Sequence, residues 1–169
     1  MKSLLQIAVL GFVALAAGCA NGGCCAGMKE MKDQHGQHAM LSEPVFKNYQ
    51  DLHWDKILPD LGADSPEICI LQVDPKTQAT KLLIRTPTAI HVRKHWHSAN
   101  ETHTMILGTA SFGHDGVRVE QGPGSFNFMP AKMVHEAWTP AGSLTFIAVD
   151  GAWDVNWVEG PPTAADLTK

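Results

Sequence analysis

The stretch HWHSANETHTMILG, residues 95–108, places three histidines and a glutamate within nine residues, then turns apolar and ends on a glycine. Imidazole and carboxylate are the side chains that hold divalent transition metals, so the spacing decides whether they can act together. In a strand alternate residues face the same side, which points His95 and His97 together with their Cα atoms roughly 6.6 Å apart. Both rings can then converge on one ion. Ser98, Ala99 and Asn100 supply a turn, and a second strand from Glu101 folds back as a hairpin, returning Glu101 towards the two histidines. On that strand Glu101, His103 and Met105 share one face, while Thr102, Thr104 and Ile106 take the other. Two imidazoles and one carboxylate are a common minimal shell for Fe, Mn, Zn or Ni. A fourth donor must come from elsewhere. Downstream, GPGSFNFMPAKMVHEAW offers a turn, a strand ending at Pro130, and His135 on the strand that follows.

The elements that must position these residues are β-strands. From Pro44 onward the chain alternates short apolar-polar runs with turn residues: EICILQVD, TKLLIRTP, AIHVRKHWH, ETHTMILG, ASFG, VRVEQ, SFNFMP, MVHEAW and LTFIAVD. Between them lie DPKTQ, HDG, QGPG and TPAGS, all strong turn chemistry. Strands recurring every 8–12 residues or so with no helical segment between them predict an all-β sandwich or barrel. Only FKNYQDLHWDKIL, ahead of the strands, could be helical, and its period is weak. Phe126, Phe128, Met129, Trp138, Phe146 and Trp153 read as barrel core. Cys69, inside the apolar run EICILQV, reads as a small buried hydrophobe.

Two segments match a known pattern. His95-x-His97-x3-Glu101-x6-Gly108 has the form of the first cupin motif, and Gly124-x5-Pro130-x-Lys132-x2-His135 resembles the second. The resemblance extends over nearly the whole β-rich region and is to the small single-domain cupins of bacteria, many without an assigned activity. It implies a jelly-roll fold, a double-sheet β-barrel. It implies metal ligands His95, His97, Glu101 and His135 around a divalent transition metal (Fe, Mn, Zn, Ni or Cu). Lys132 stands where the family usually has glycine, and Thr139 where it often has asparagine; neither departure removes a ligand. Glycine is favoured at the first of these where φ is positive. The resemblance also admits a homodimer, since such barrels commonly pair through their sheets.

His103 is the additional member. Sharing a face with Glu101, it could be a fifth ligand, a partner that orients Glu101, an acid/base group, or a histidine lining the pocket without a chemical task. His53, His91 and His114 read as loop or outward residues. Arg85, Arg93 and Arg118 could hold an anionic substrate, but a solvated strand face explains them as well.

The first 18 residues have the build of a secretory signal: Lys2, then the apolar LLQIAVLGFVALAA, too short to span a bilayer. The junction LAAGC resembles a bacterial lipobox, which makes Cys19 the expected lipidation site. Ala20 in the next position predicts sorting to the outer membrane, facing the periplasm, with stable attachment through several acyl chains. Residues 19–43 then form a Gly-rich tether containing Cys24, Cys25, Met28, Met31, His35, His38 and Met40, soft donors suited to copper(I) or zinc, or a plain linker. The β-domain occupies 44–160 and a polar tail 161–169. With Cys19 lipidated, three cysteines remain, an odd number that closes no disulfide framework.

These 169 residues carry a net charge of -4 and no Lys/Arg stripe, which removes the electrostatic footprint of a nucleic-acid binder. No Ser-His-Asp elbow, phosphate-binding glycine loop or CxxC redox motif is present. The expected role is a metal-binding cupin of the cell envelope, with a small organic molecule as its partner. A dioxygenase-type enzyme stands slightly ahead of an isomerase or hydrolase. A non-enzymatic lipoprotein that captures a metal or small ligand is the alternative.

Overall fold

A computed structural model describes residues 44–168. The signal segment 1–18, Cys19 and the soft donors of the tether lie outside the described residues.

The nine runs identified by alternation all form strands, and two two-residue strands join them. In chain order these are β1 (Asp55–Lys56), β2 (Glu67–Val73), β3 (Thr80–Thr86), β4 (Ile90–Trp96), β5 (Glu101–Leu107), β6 (Ala110–His114), β7 (Val117–Gln121), β8 (Phe126–Met129), β9 (His135–Thr139), β10 (Ser143–Val149) and β11 (Asn156–Trp157). Strands of two residues are too short for a period to show, which is why β1 and β11 escape a pattern search. The helix-like stretch before the strands yields only a 3-10 turn, Tyr49–Asp51. Two antiparallel sheets result, in the orders β1-β2-β3-β10-β5-β8 and β11-β4-β9-β6-β7.

Alternation on β3 shows how the layers are built. Leu82 points inward and clusters with Ile68, Ile147 and Val149. Its neighbour Leu83 points outward and is also buried, because Leu52, Trp54 and Phe146 cover that face together with Cys69 and Leu144. Cys69 is thus a free, buried thiol acting as a hydrophobe. The reading of Phe126 and Phe128 as core is corrected: they are 64% and 53% exposed. On edge strand β8 the inward phase belongs to Asn127 and Met129, and among the described residues no further layer covers the outer face there.

The expected hairpin of β4 and β5 is likewise corrected. The two strands lie in different sheets, β4 beside β9 and β5 between β10 and β8. The chain crosses between layers at residues 97–100, and side chains hold the crossing in place of a strand ladder. The Asp154 carboxylate accepts from the Ser98 N–H at 2.8 Å and from its hydroxyl at 2.5 Å. The Asp150 carboxylate accepts from the Asn100 N–H and side-chain amide, and Asn100 Oδ1 accepts from Ala131 N–H at 2.8 Å. Period two fixes which residues share a face, but not which strand becomes the neighbour.

The polar C-terminal segment docks on β4. A 3-10 turn, Ala164–Asp166, is capped by Thr163, and Asp166 pairs with Arg93 at 2.7 Å. Thr168 N–H then bonds Ala89 O at 2.8 Å.

Candidate metal centre

The site forms where the sheets face each other. β4 and β9 pair with His95 opposite His135, after a register shift between Val92 and His95 that puts one extra residue into β4. Strict alternation from Val92, which lines the interior, would send Lys94 and Trp96 inward. The bulge resets the phase, and His95 and His97 face the interior with Val92. Re-aiming a side chain is what a bulge does. The sequence showed that the two histidines share a face; it held no signal for the bulge that decides which face.

The rings of His95 and His135 have centroids 4.3 Å apart, those of His95 and His97 4.9 Å, and those of His97 and His135 5.2 Å. One ring nitrogen from each of the three lies within 4.8 Å of the others, and all three side chains are buried. Their protonation follows from their partners. Nδ1 of His95 meets Arg93 O at 2.7 Å, Nδ1 of His135 meets Met133 O at 3.1 Å, and Nδ1 of His97 meets Asp154 O. A carbonyl oxygen can only accept, so each Nδ1 carries a hydrogen, and a ring in its neutral form keeps a lone pair on Nε2. Backbone carbonyls that fix the tautomer in this way are the usual support of histidine ligands. Burial pushes His95 down to about 3, helped by repulsion from His135 and opposed by its bond to Arg93 O. Burial also lowers His135 to about 4, opposed by its bond to Met133 O and helped by His97. Both are neutral, and so competent to ligate, at any ordinary pH.

Glu101 is 1% exposed and enters from β5, in the opposite sheet. Its Oε2 lies 3.2 Å from Nε2 of His97 and 3.0 Å from Nε2 of His103, while Oε1 has no hydrogen-bond partner. Oε2 and a His97 Nε2 that bears only a lone pair are both acceptors, so a proton or a metal ion must lie between them. Three converging lone pairs, an adjacent carboxylate and its orphaned buried oxygen fit a transition-metal ion with N and O ligands. Glu101 stands beside the three-histidine cluster, in contact with His97, and not within the 4.8 Å group itself.

His103 sits where alternation placed it, buried on the inner face of β5. Its Nε2–H donates to Glu101, its ring lies 5.3 Å from Phe112, and its Nδ1 is buried without a partner. A buried nitrogen lone pair with no donor is costly and marks a place for a proton or a ligand. Among the described residues the remaining histidines face away: His53 and His114 are exposed, and His91 stacks on Trp138 at 4.8 Å and pairs with Glu136. Trp153, Val155 and Trp157 also line the site, from a segment whose place at the site was not read from the sequence.

Two motif positions are explained by backbone conformation. Gly108 has φ of 69°, and a Cβ there would come within 3.2 Å of the Ser143 backbone. Lys132, in the position the motif usually gives to glycine, adopts φ of 65°, and its N–H bonds His97 O at 2.8 Å. The lysine tolerates the left-handed conformation that the usual glycine would adopt freely.

Comparison with known proteins gave no match to any protein-family model and none to a curated protein. Among solved structures, KdgF from Halomonas sp. aligns over 64% of this chain and 94% of its own, with 14% identity and a TM-score of 0.53. An RmlC-like cupin from Shewanella frigidimarina aligns over 65% and 93%, at 16% identity and a TM-score of 0.55. A structure from a study of the DMSP lyases RdDddP and RnDddQII aligns over 64% and 63%, at 19% identity and a TM-score of 0.53. The fold of the described residues is therefore the cupin jelly roll, and its interior holds a buried histidine cluster suited to a transition metal.

Proposed function

We propose that this protein is a metal-dependent enzyme that moves a proton on a small organic molecule. The observation that carries the proposal is the pairing of three metal-ready imidazoles with a second, unused base. His95, His97 and His135 would hold the ion, with Glu101 as the carboxylate ligand. When bound, a divalent metal supplies Lewis acidity that stabilises negative charge on a substrate oxygen. His103 is the catalytic candidate: it borders the same cavity, its Nε2–H is committed to Glu101, and its Nδ1 lone pair is free to take a proton. Glu101 orients that ring and stabilises the charge His103 would gain. This favours isomerase- or lyase-type chemistry over the dioxygenation that the ligand set equally allows, because dioxygenation has no evident need for the spare base. A similarity to a structure from a study of DMSP lyases points the same way, at the level of fold only.

The test has two steps. Metal analysis of full-length protein purified from its native membrane should give about one transition-metal ion per chain at the barrel site, lost in His135→Ala. Metal-loaded protein is then incubated in D₂O with a panel of small carbonyl compounds, and deuterium incorporation is followed by NMR. Exchange that disappears in His103→Gln while the metal is retained supports the proposal. Stoichiometric metal with no exchange on any compound would replace it with the non-enzymatic binding protein. The envelope setting is part of the same proposal and rests on the signal segment and Cys19: lipid attachment there, at the outer membrane on the periplasmic side.

A further inference from the structure

The cavity in front of the histidines is chemically one-sided. Its volume is about 100 Å³. Beyond the histidines and Glu101 its walls are mostly hydrocarbon, among them Ile84, Val92, Phe112 and Ile147, with the indole rings of Trp153 and Trp157 each adding one N–H donor. Among the described residues its hydroxyls belong to three threonines, Thr86, Thr139 and Thr145. Thr145 already donates to Met105 Sδ at 3.3 Å, and Thr139 to Ile90 O at 3.5 Å. Among the described residues no lysine, arginine, asparagine or glutamine borders the cavity.

The arginines that could have served an anion are engaged on other surfaces. Arg85 pairs with Glu67 at 2.5 Å and lies over the Trp54 ring. Arg93 pairs with Asp166 at 2.7 Å, and Arg118 lies 3.8 Å from the centre of the Trp138 ring. Inside, a divalent ion with one carboxylate and three neutral imidazoles leaves a single net positive charge. One negative charge on a ligand neutralises it. A second would be buried against hydrocarbon with no cation, and a string of hydroxyls would be buried with too few partners.

We infer that the ligand is a compact molecule with at most one negative charge, at the end that meets the histidines, and an uncharged, apolar body. Dicarboxylates, phosphates and polyhydroxylated sugar acids do not fit this cavity. The inference rests on the metal site proposed above and narrows its substrate class.

Calorimetric titration of zinc-loaded full-length protein with acetate, propionate and butyrate tests it, with malonate and succinate as charge controls. Burial of each added methylene should tighten binding about fourfold. Succinate should bind at least tenfold more weakly than butyrate. A flat series, an absence of binding by every member, or succinate at or above butyrate would overturn the inference while leaving the metal site intact. If zinc uptake by the wild type equals that of His135→Ala, the metal site itself fails, and the inference fails with it.

Discussion

Acidification of the metal-free protein from pH 7 to pH 5 should remove a large part of its stability, and the two buried histidines set the size of the effect. In the folded chain His95 titrates near 3 and His135 near 4, because burial disfavours their charged forms. In the unfolded chain both return to about 6.5. Between these values the unfolded state binds more protons than the folded one, so stability rises with pH across that window and falls on acidification. The stability is fully present above about pH 6.5 and is lost progressively as pH drops towards the folded values. From pH 7 to pH 5 each histidine accounts for about 2 kcal/mol, or ~4 kcal/mol for the pair. A domain stable by ~5–15 kcal/mol overall would lose a large fraction of that. Urea unfolding of EDTA-treated protein, followed by tryptophan fluorescence at pH 7, 6 and 5, measures the loss. The decisive quantity is the difference between wild type and His95→Gln, which isolates the contribution of that one histidine. That difference should approach ~2 kcal/mol between pH 7 and 5, with the variant the less pH-sensitive. Equal slopes in the two proteins, or wild-type stability that increases on acidification, would refute the reasoning.

Two further outcomes follow from the segments that frame the site. Lys132→Gly should stabilise the protein by up to about 1 kcal/mol, because it relieves a left-handed residue while leaving the N–H bond to His97 O in place; a lower urea midpoint would show that the lysine side chain contributes more than its backbone strain costs. Asp154→Ala removes both carboxylate bonds to Ser98 and loosens the carbonyl that fixes the His97 tautomer, so metal affinity should fall roughly 10–100-fold in a calorimetric titration. Unchanged affinity would mean that the Trp153–Val155 segment holds His97 without help from that carboxylate.

Much of this protein is determined by sequence alone. Nine strands and their turns follow from alternation and turn residues, because a half-buried strand must alternate whatever its neighbours are. The common face of His95 and His97, the inward phase of Glu101 and His103, and the buried state of Cys69 have the same local cause. The positive φ at Gly108 is local too, set by the turn, while the close approach of the Ser143 backbone adds a second demand for glycine from a distant strand. What depends on pairing between distant segments could not be read in this way. The placement of β4 and β5 in opposite sheets, the bulge that turns His95 inward, and the outward exposure of Phe126 and Phe128 are properties of neighbours chosen across the chain. The tautomers of the three imidazoles were also decided there. Arg93 O and Met133 O are near in sequence, but only the folded barrel brings Asp154 O to His97 and gathers a ring nitrogen of all three within 4.8 Å of one another. Local periods put His95 and His97 on one face and Glu101 on the facing strand, the motif resemblance added His135, and long-range pairing aimed all four.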